Sequence, residues 1–255
     1  MVAHVTQSSA AVLEVFPSWL TLVRANNANA MTLDGTNTWV LRGSGSDETL
    51  VIDPGPLDEQ HLATVARQGT VTTVLYTHSH PDHVEGLYRF RTLVPAAGSP
   101  ARNDGAVVEL PGGLTVTAWS TPGHTADSVC FLAEYHGERY IFTGDTILGR
   151  GTTVVAHPDG DLGDYLTSLR RLGSLAQVGV LPGHGPALAD CAAAASFYLD
   201  HRTARLEQVR IARAAGHETA GDVVRAVYAD VDPSLWPAAE MSVRAQLAYL
   251  DRESP

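Results

Sequence analysis

Thr77-His78-Ser79-His80-Pro81-Asp82-His83 gathers three imidazoles and a carboxylate into six positions, directly after Thr70 to Tyr76, a run with the composition of a buried strand. Side chains on an extended chain alternate with a period of two, so His78 and His80 point to the same side and can share one ion. Pro81 favours a turn and a helix start, which sets Asp82 and His83 at a helix N-terminus, turned toward a second ion. Neutral imidazoles grouped with a carboxylate suit zinc. Two such ions need more donors than this segment holds.

Three further candidates each follow a strand-like run and a glycine. His124 lies in Ser120-Thr121-Pro122-Gly123-His124-Thr125, Asp145 in Phe142-Thr143-Gly144-Asp145-Thr146, and His184 in Leu181-Pro182-Gly183-His184-Gly185-Pro186. A glycine before the ligand lets the backbone turn sharply and approach an ion without a Cβ in the way. Singly, each is an ordinary turn; in this order they form a specific pattern.

That order, His-x-His-x-Asp-His, then Gly-His, then Asp, then His, resembles the metallo-β-lactamase fold superfamily, and all seven positions match. The resemblance implies two zinc ions, with His78, His80 and His124 on the first, Asp82, His83 and His184 on the second, and Asp145 bridging them. It also implies that a hydroxide held between the metals is the nucleophile, with Asp82 able to orient it. The donor set is compatible with iron or manganese as well. The class B β-lactamases carry a cysteine where Asp145 stands, whereas Cys130 and Cys191 fall elsewhere, which argues against an antibiotic-degrading enzyme.

Leu33-Asp34-Gly35-Thr36-Asn37-Thr38-Trp39-Val40, Ile52-Asp53-Pro54-Gly55, Gly149-Arg150-Gly151-Thr152-Thr153-Val154, Tyr165-Leu166-Thr167-Ser168-Leu169 and His201-Arg202 narrow the match, over roughly residues 30 to 215, to the lactamase-beta-2 group. Members of that group pair the metal-binding domain with a winged-helix-like tail, and some are endoribonucleases selective for single strands. Here the chain ends at Pro255, soon after the last helical pattern, which leaves no room for a pair of wing strands.

With 255 residues, 44% of them hydrophobic and 18% charged, the chain can bury one large core plus a small appendage. Met1 to Glu14 has no basic stretch followed by an apolar core, and no run approaches about 18 apolar residues, so neither export nor membrane insertion is expected and the cytoplasm is the default compartment. The two cysteines sit in apolar or Ala-rich surroundings and read as buried free thiols. A net charge of −11 repels polyanions at long range, so nucleic-acid binding would need a local basic patch, to which two divalent ions would add.

The elements that must position these residues can be read from periodicity. Strand-like runs cover Trp19 to Arg24, Thr38 to Arg42, Thr49 to Ile52, Val71 to Tyr76, Val107 to Leu110, Leu114 to Trp119, Ser128 to Glu134, Arg139 to Phe142 and Val178 to Leu181. Helical spacing covers Leu57 to Arg67 and Asp161 to Leu172, the latter with Asp161 as a cap and Leu162, Leu166, Leu169 and Leu172 as its stripe. The fold class is therefore α/β, an αββα sandwich with ligands on loops at one edge of the sheets. Residues 1–186 form the metal-binding hydrolase domain and residues 187–255 an all-helical, truncated winged-helix-like tail. Its helices run from Ala187 to Ala215, Ala220 to Tyr228 and Ala238 to Leu250, the last two separated by Asp230 to Pro237.

Three positions around the ligands have expected supporting parts. Asp53, ending a strand at the same edge, reads as a hydrogen-bond acceptor that orients the motif loop without touching metal. Asn37, in a turn at the site mouth, and His157, in the loop after Asp145, are candidate substrate contacts. Arg202, Arg205, Arg210 and Arg213 fall within about 140° on one helix; the stripe could track a phosphate backbone, although Leu206 and Val209 share its sector and a solvated face is the plainer reading. Chemically the site is a dinuclear hydrolase. Single-stranded RNA is the substrate favoured by resemblance, and a thioester, as in hydroxyacylglutathione hydrolase, is the alternative.

Overall fold

A computed structural model of the chain describes residues 11–253. The expectation that no export leader precedes the fold falls mostly on residues 1–10, outside the described residues.

Short runs of branched and aromatic residues form two mixed sheets. The smaller holds β2 (Leu20–Arg24), β3 (Asn37–Leu41), β4 (Glu48–Ile52) and β5 (Thr70–Leu75) in the order β2-β3-β4-β5, with β4 and β5 parallel. The larger holds β1 (Val12–Leu13), β6 (Val107–Leu110), β7 (Leu114–Ser120), β8 (Val129–Tyr135), β9 (Glu138–Gly144), β10 (Gly179–Pro182) and β11 (Ala187–Leu188), in the order β1-β11-β10-β9-β8-β7-β6. Alternation divides each strand between two cores. Phe131, Val116 and Phe142 of the large sheet meet Trp39, Leu50, Ile52 and Leu75 of the small one, forming the layer between the sheets. Cys130, Leu132 and Ile141, one position out of phase, face the other way.

Helices cover both outer faces. α1 (Glu59–Ala66) and α3 (Leu87–Leu93) bring Leu62, Val65 and Phe90 onto Val40, Val51 and Val74 of the small sheet. Between β5 and α3 lies the four-residue helix α2 (Pro81–Val84). α4 (Leu162–Leu172) begins at Asp161, whose side chain accepts from the Gly163 and Asp164 amides, and lays Leu162, Leu166, Leu169 and Leu172 on the outer face of the large sheet. The same cluster continues into α5 (Cys191–Ala214), α6 (Ala220–Val227) and α7 (Trp236–Glu253) through Tyr198, Val209, Val223 and Val243. This is the αββα sandwich with a helical C-terminal region. Cys130 and Cys191 are both buried and unpaired. No helix among the described residues is long and apolar enough to cross a membrane.

The helical region departs from expectation at its start. Residues 187 and 188 are a strand, paired with Val12–Leu13 on one side and with Val180 on the other. The helix begins only at Cys191, where Asp190 caps the Ala193 amide. The separator before α7 contains a 3₁₀ turn at Pro233–Leu235, and α7 itself starts at Trp236, with Pro237 tolerated in its first turn. No strand follows β11 among the described residues.

Candidate metal centre

Four loops at one edge of the sandwich carry the seven side chains. The small sheet contributes the segment after β5, whose Thr77 is held by Asp53: Thr77 N donates to Oδ1 at 2.7 Å and Thr77 Oγ1 to Oδ2 at 2.8 Å. His80 is the N-cap of α2 and Pro81 its first residue, so Asp82 and His83 fall in the first turn as the proline predicts. The large sheet contributes His124 after β7, Asp145 after β9 and His184 after β10. Parallel pairing of β9 with β10 sets Gly144 opposite Pro182, and Gly183 N donates to Gly144 O at 2.8 Å, which brings Asp145 and His184 together.

The side chains converge as three overlapping groups, His78 with His80 and His124, His78 with His83 and Asp145, and Asp82 with His83 and His184, each with its donor atoms within 4.8 Å of one another. His80 Nδ1 lies 3.0 Å from His78 Nε2 and 3.1 Å from His124 Nε2. On the other side His184 Nε2 lies 3.0 Å from Asp82 Oδ2 and 3.3 Å from His83 Nε2. Asp145 stands between the groups, with Oδ1 3.4 Å from both His83 Nε2 and His184 Nε2 and Oδ2 3.8 Å from His124 Nε2.

The surroundings fix which nitrogen faces inward. His124 Nδ1 donates to Val154 O at 2.6 Å, His184 Nδ1 to Gly35 O at 3.3 Å and His83 Nδ1 to Asp53 Oδ2 at 2.9 Å. His78 Nδ1 donates to Thr77 Oγ1 at 3.0 Å, whose own proton goes to Asp53. With those protons turned outward, four Nε2 lone pairs face one another, an arrangement that repels unless a cation sits among them. Asp145 Oδ1 is buried with no hydrogen-bond partner. Both observations fit a dinuclear metal site of His and Asp donors.

Charge balance points the same way. Burial disfavours ionised Asp145, yet His184 and His83 outweigh it and hold the carboxyl well below its ordinary value. Burial is the main cause that pushes the His78 and His124 imidazoles down, toward the neutral form that ligates. For His83 and His184 burial is outweighed by the carboxylates beside them, Asp53 and Asp145 for the first and Asp145 and Asp82 for the second, which raise both pKa values, so this side of the site favours positive charge, which a proton or a metal ion can supply.

The glycines before the ligands answer to protein contacts more than to an ion. A Cβ on Gly144, at φ +48°, would stand 2.3 Å from Thr77 Oγ1, and one on Gly183 would stand 2.6 Å from the His83 ring.

A cavity of about 310 Å³ opens off His124 and Asp145. Its walls come from the β2–β3 loop, the loop at 150–154, α5, the connection between α6 and α7, and α7; Met31, Leu33, Leu148, Val154 and Leu235 make them largely apolar. At the rim Arg150 pairs with Asp34, one bond being Nη2 to Oδ1 at 2.8 Å.

The expected substrate contacts lie elsewhere. Asn37 is fully buried in β3: its Nδ2 donates to Pro182 O and Gly185 O, and its Oδ1 accepts from Arg24 Nε, so the amide braces the His184 loop and has no group left for a substrate. His157 does not line the cavity, which the neighbouring Thr152, Thr153 and Val154 do. The arginine stripe is not a surface track. Arg202 is buried and donates to Thr153 O, Arg205 turns into the cavity over the Tyr228 ring, and Arg210 and Arg213 are paired with Glu207, Glu253 and Asp251. Helical angle gave their common sector but not that its first half, at Arg202 and Arg205, is covered by the chain around α6 and α7, while Arg210 and Arg213 lie on a solvated face.

Comparison with known proteins agrees with this geometry. Residues 31–106 and 91–184 match the metallo-beta-lactamase superfamily, and residues 219–254 match the beta-lactamase associated winged helix domain. A beta-lactamase-like protein 2 homolog of Drosophila melanogaster is 33% identical, covering 89% of this chain and 86% of that protein. An atrochrysone carboxyl ACP thioesterase of Aspergillus fumigatus is 38% identical over 74% of this chain and 63% of its own length. Among solved structures, a beta-lactamase domain protein from Burkholderia ambifaria superposes with a TM-score of 0.75 at 23% identity, covering 98% of this chain and 91% of that one.

Proposed function

The chain belongs to the metallo-beta-lactamase superfamily and is a metal-dependent hydrolase of it, and from that premise we propose that it is a dizinc enzyme whose substrate is an acyl thioester. The observation that carries the substrate class is the cavity leading off Asp145 and His124, whose Met31, Leu33, Leu148, Val154 and Leu235 suit an acyl chain. Identity to a protein named as a thioesterase supports the same reading.

In this reading His78, His80 and His124 would hold one ion and Asp82, His83 and His184 the other, with Asp145, whose carboxylate stands between the two groups, available to both. Bound zinc supplies Lewis acidity, which activates water near neutral pH and polarises the scissile carbonyl. Asp82, the more exposed of the two carboxylates at 27% against 12% for Asp145, accepts a hydrogen bond from the attacking water and orients it. The cavity walls hold the acyl chain away from solvent, with the carbonyl at the Asp145 end.

The test is hydrolysis, by zinc-loaded wild type and Asp145→Ala, of a valeryl thioester of N-acetylcysteamine and of labelled single-stranded RNA. Thioester turnover that disappears in Asp145→Ala is the expected result. RNA cut by the wild type with no thioester turnover overturns the proposal in favour of an endoribonuclease. Nitrocefin should not be hydrolysed.

A further inference from the structure

α5 carries two cations that nothing in the metal chemistry uses. Arg202 is 3% exposed, and its Nε is buried without an acceptor. Arg205, one turn later and half-buried, donates Nη1 to Val227 O and Gln208 Oε1, both neutral. Both line the cavity, and no carboxylate lies within ion-pair distance of either among the described residues. The other described arginines are ion-paired or exposed to solvent. In a chain of net charge −11 carboxylates are plentiful, so a pair of inward guanidinium groups without one is a local excess of positive charge. Burying such a group without an anion is strongly disfavoured. The adjoining His201 also lines the cavity. Burial, with Arg202 and Arg205 beside it, lowers its pKa to about 4, so it is neutral near pH 7 and adds no charge of its own; its Nδ1 is likewise buried without a partner.

We propose that the Arg202–Arg205 face of α5 is an anion subsite, and that the acyl group hydrolysed at the metal centre ends in a carboxylate held there. The inference rests on the thioester reading and deepens it. An apolar chain is the part of a thioester that suits walls of Met31, Leu33, Leu148, Val154 and Leu235, and Arg202 and Arg205 line the same cavity, where the terminal carboxylate of such a chain can meet them. A guanidinium also takes a carboxylate with two parallel hydrogen bonds, which would fix how deep the chain enters.

Four thioesters test it on the zinc-loaded full chain: valeryl and glutaryl esters of N-acetylcysteamine, which share a chain length and differ in the terminal carboxylate, and the same acyl groups on coenzyme A. The expected result is a kcat/KM for glutaryl roughly tenfold or more above valeryl on N-acetylcysteamine. Arg205→Gln should bring that ratio close to one, and Arg205→Lys should leave it between the two. Because the ratio is taken within one preparation, any loss of folded enzyme cancels. Equal efficiency on both acyl groups, or a ratio unmoved by Arg205→Gln, overturns the subsite while leaving the thioester reading standing. A preference for coenzyme A over N-acetylcysteamine that Arg205→Gln removes, with no effect of the acyl carboxylate, puts the anion on the leaving thiol and overturns the acyl assignment. No hydrolysis of any of the four overturns the thioester reading and the inference with it.

Discussion

The Asp53 carboxylate accepts from the Thr77 amide, the Thr77 hydroxyl and His83 Nδ1, and through Thr77 it also sets the His78 ring. One side chain therefore orients an imidazole in each ligand group. Asp53→Ala should weaken metal retention by about ten- to a hundredfold, read as zinc lost to a competing chromogenic chelator; wild-type retention would show that the rings are held by packing alone. Asp127 links the loops of the His78, His80 and His124 group, accepting from Ser79 Oγ at 2.5 Å and from Thr125 Oγ1 at 2.9 Å. Its loss should affect the same assay less, because it touches neighbours of the ligands and no ligand itself. Asp53 was legible as an acceptor because it ends a strand at the ligand edge. Asp127 gave no signal, since its partners lie 48 positions away and two positions away and neither spacing is a motif. The thiols follow burial: Cys130 is pushed up to about 11 and Cys191 further. Neither should react with a chromogenic disulfide reagent near neutral pH until the chain is unfolded.

Among the elements, α4 depends on a cap that also ties the helical region to the sandwich. Asp161 accepts from the Gly163 and Asp164 amides and pairs with Arg252 of α7 at 2.7 Å. Asp161→Ala should cost ~1 kcal/mol in urea unfolding near neutral pH. Burial disfavours the ionised carboxyl, but the Asp164 amide, Arg252 and the Gly163 amide outweigh it, so the folded pKa lies below the ordinary one. The stabilisation is thus present above the unfolded-state pKa and is lost as pH falls through the folded one; the gap between variant and wild type should close across that acidic window. A gap constant down to strong acid would mean the carboxylate matters only for its shape. The Leu stripe made α4 readable, and runs of apolar, branched and aromatic residues made β2 to β10 readable, alternating in β7 and buried on both faces in β3, β4 and β10. β11 is two residues long and exists only because β1 and β10 flank it, and α3 is a seven-residue helix with two arginines whose one fully buried side chain is Phe90. Neither carries enough periods to be seen without its neighbours.

For the whole molecule, the ligands join the two sheets: one segment comes from the small sheet and three from the large one. A cation bound only by the folded chain should act as a clip. Zinc at a hundredfold its Kd stabilises by about 2.7 kcal/mol, so chelation should lower the Tm measurably, and a chelated protein melting with the loaded one would mean that the edge forms without its ions. The cavity has a second division of labour. Its reactive end is built from the sandwich, while much of its far wall, from Arg202 to Ser242, belongs to the helical region. Changes in α5 to α7 can therefore be inherited without touching a metal ligand. Descendants of one ancestral hydrolase could exchange one acyl group for another at little cost to the chemistry, and a graft of this region between relatives should carry substrate preference with it.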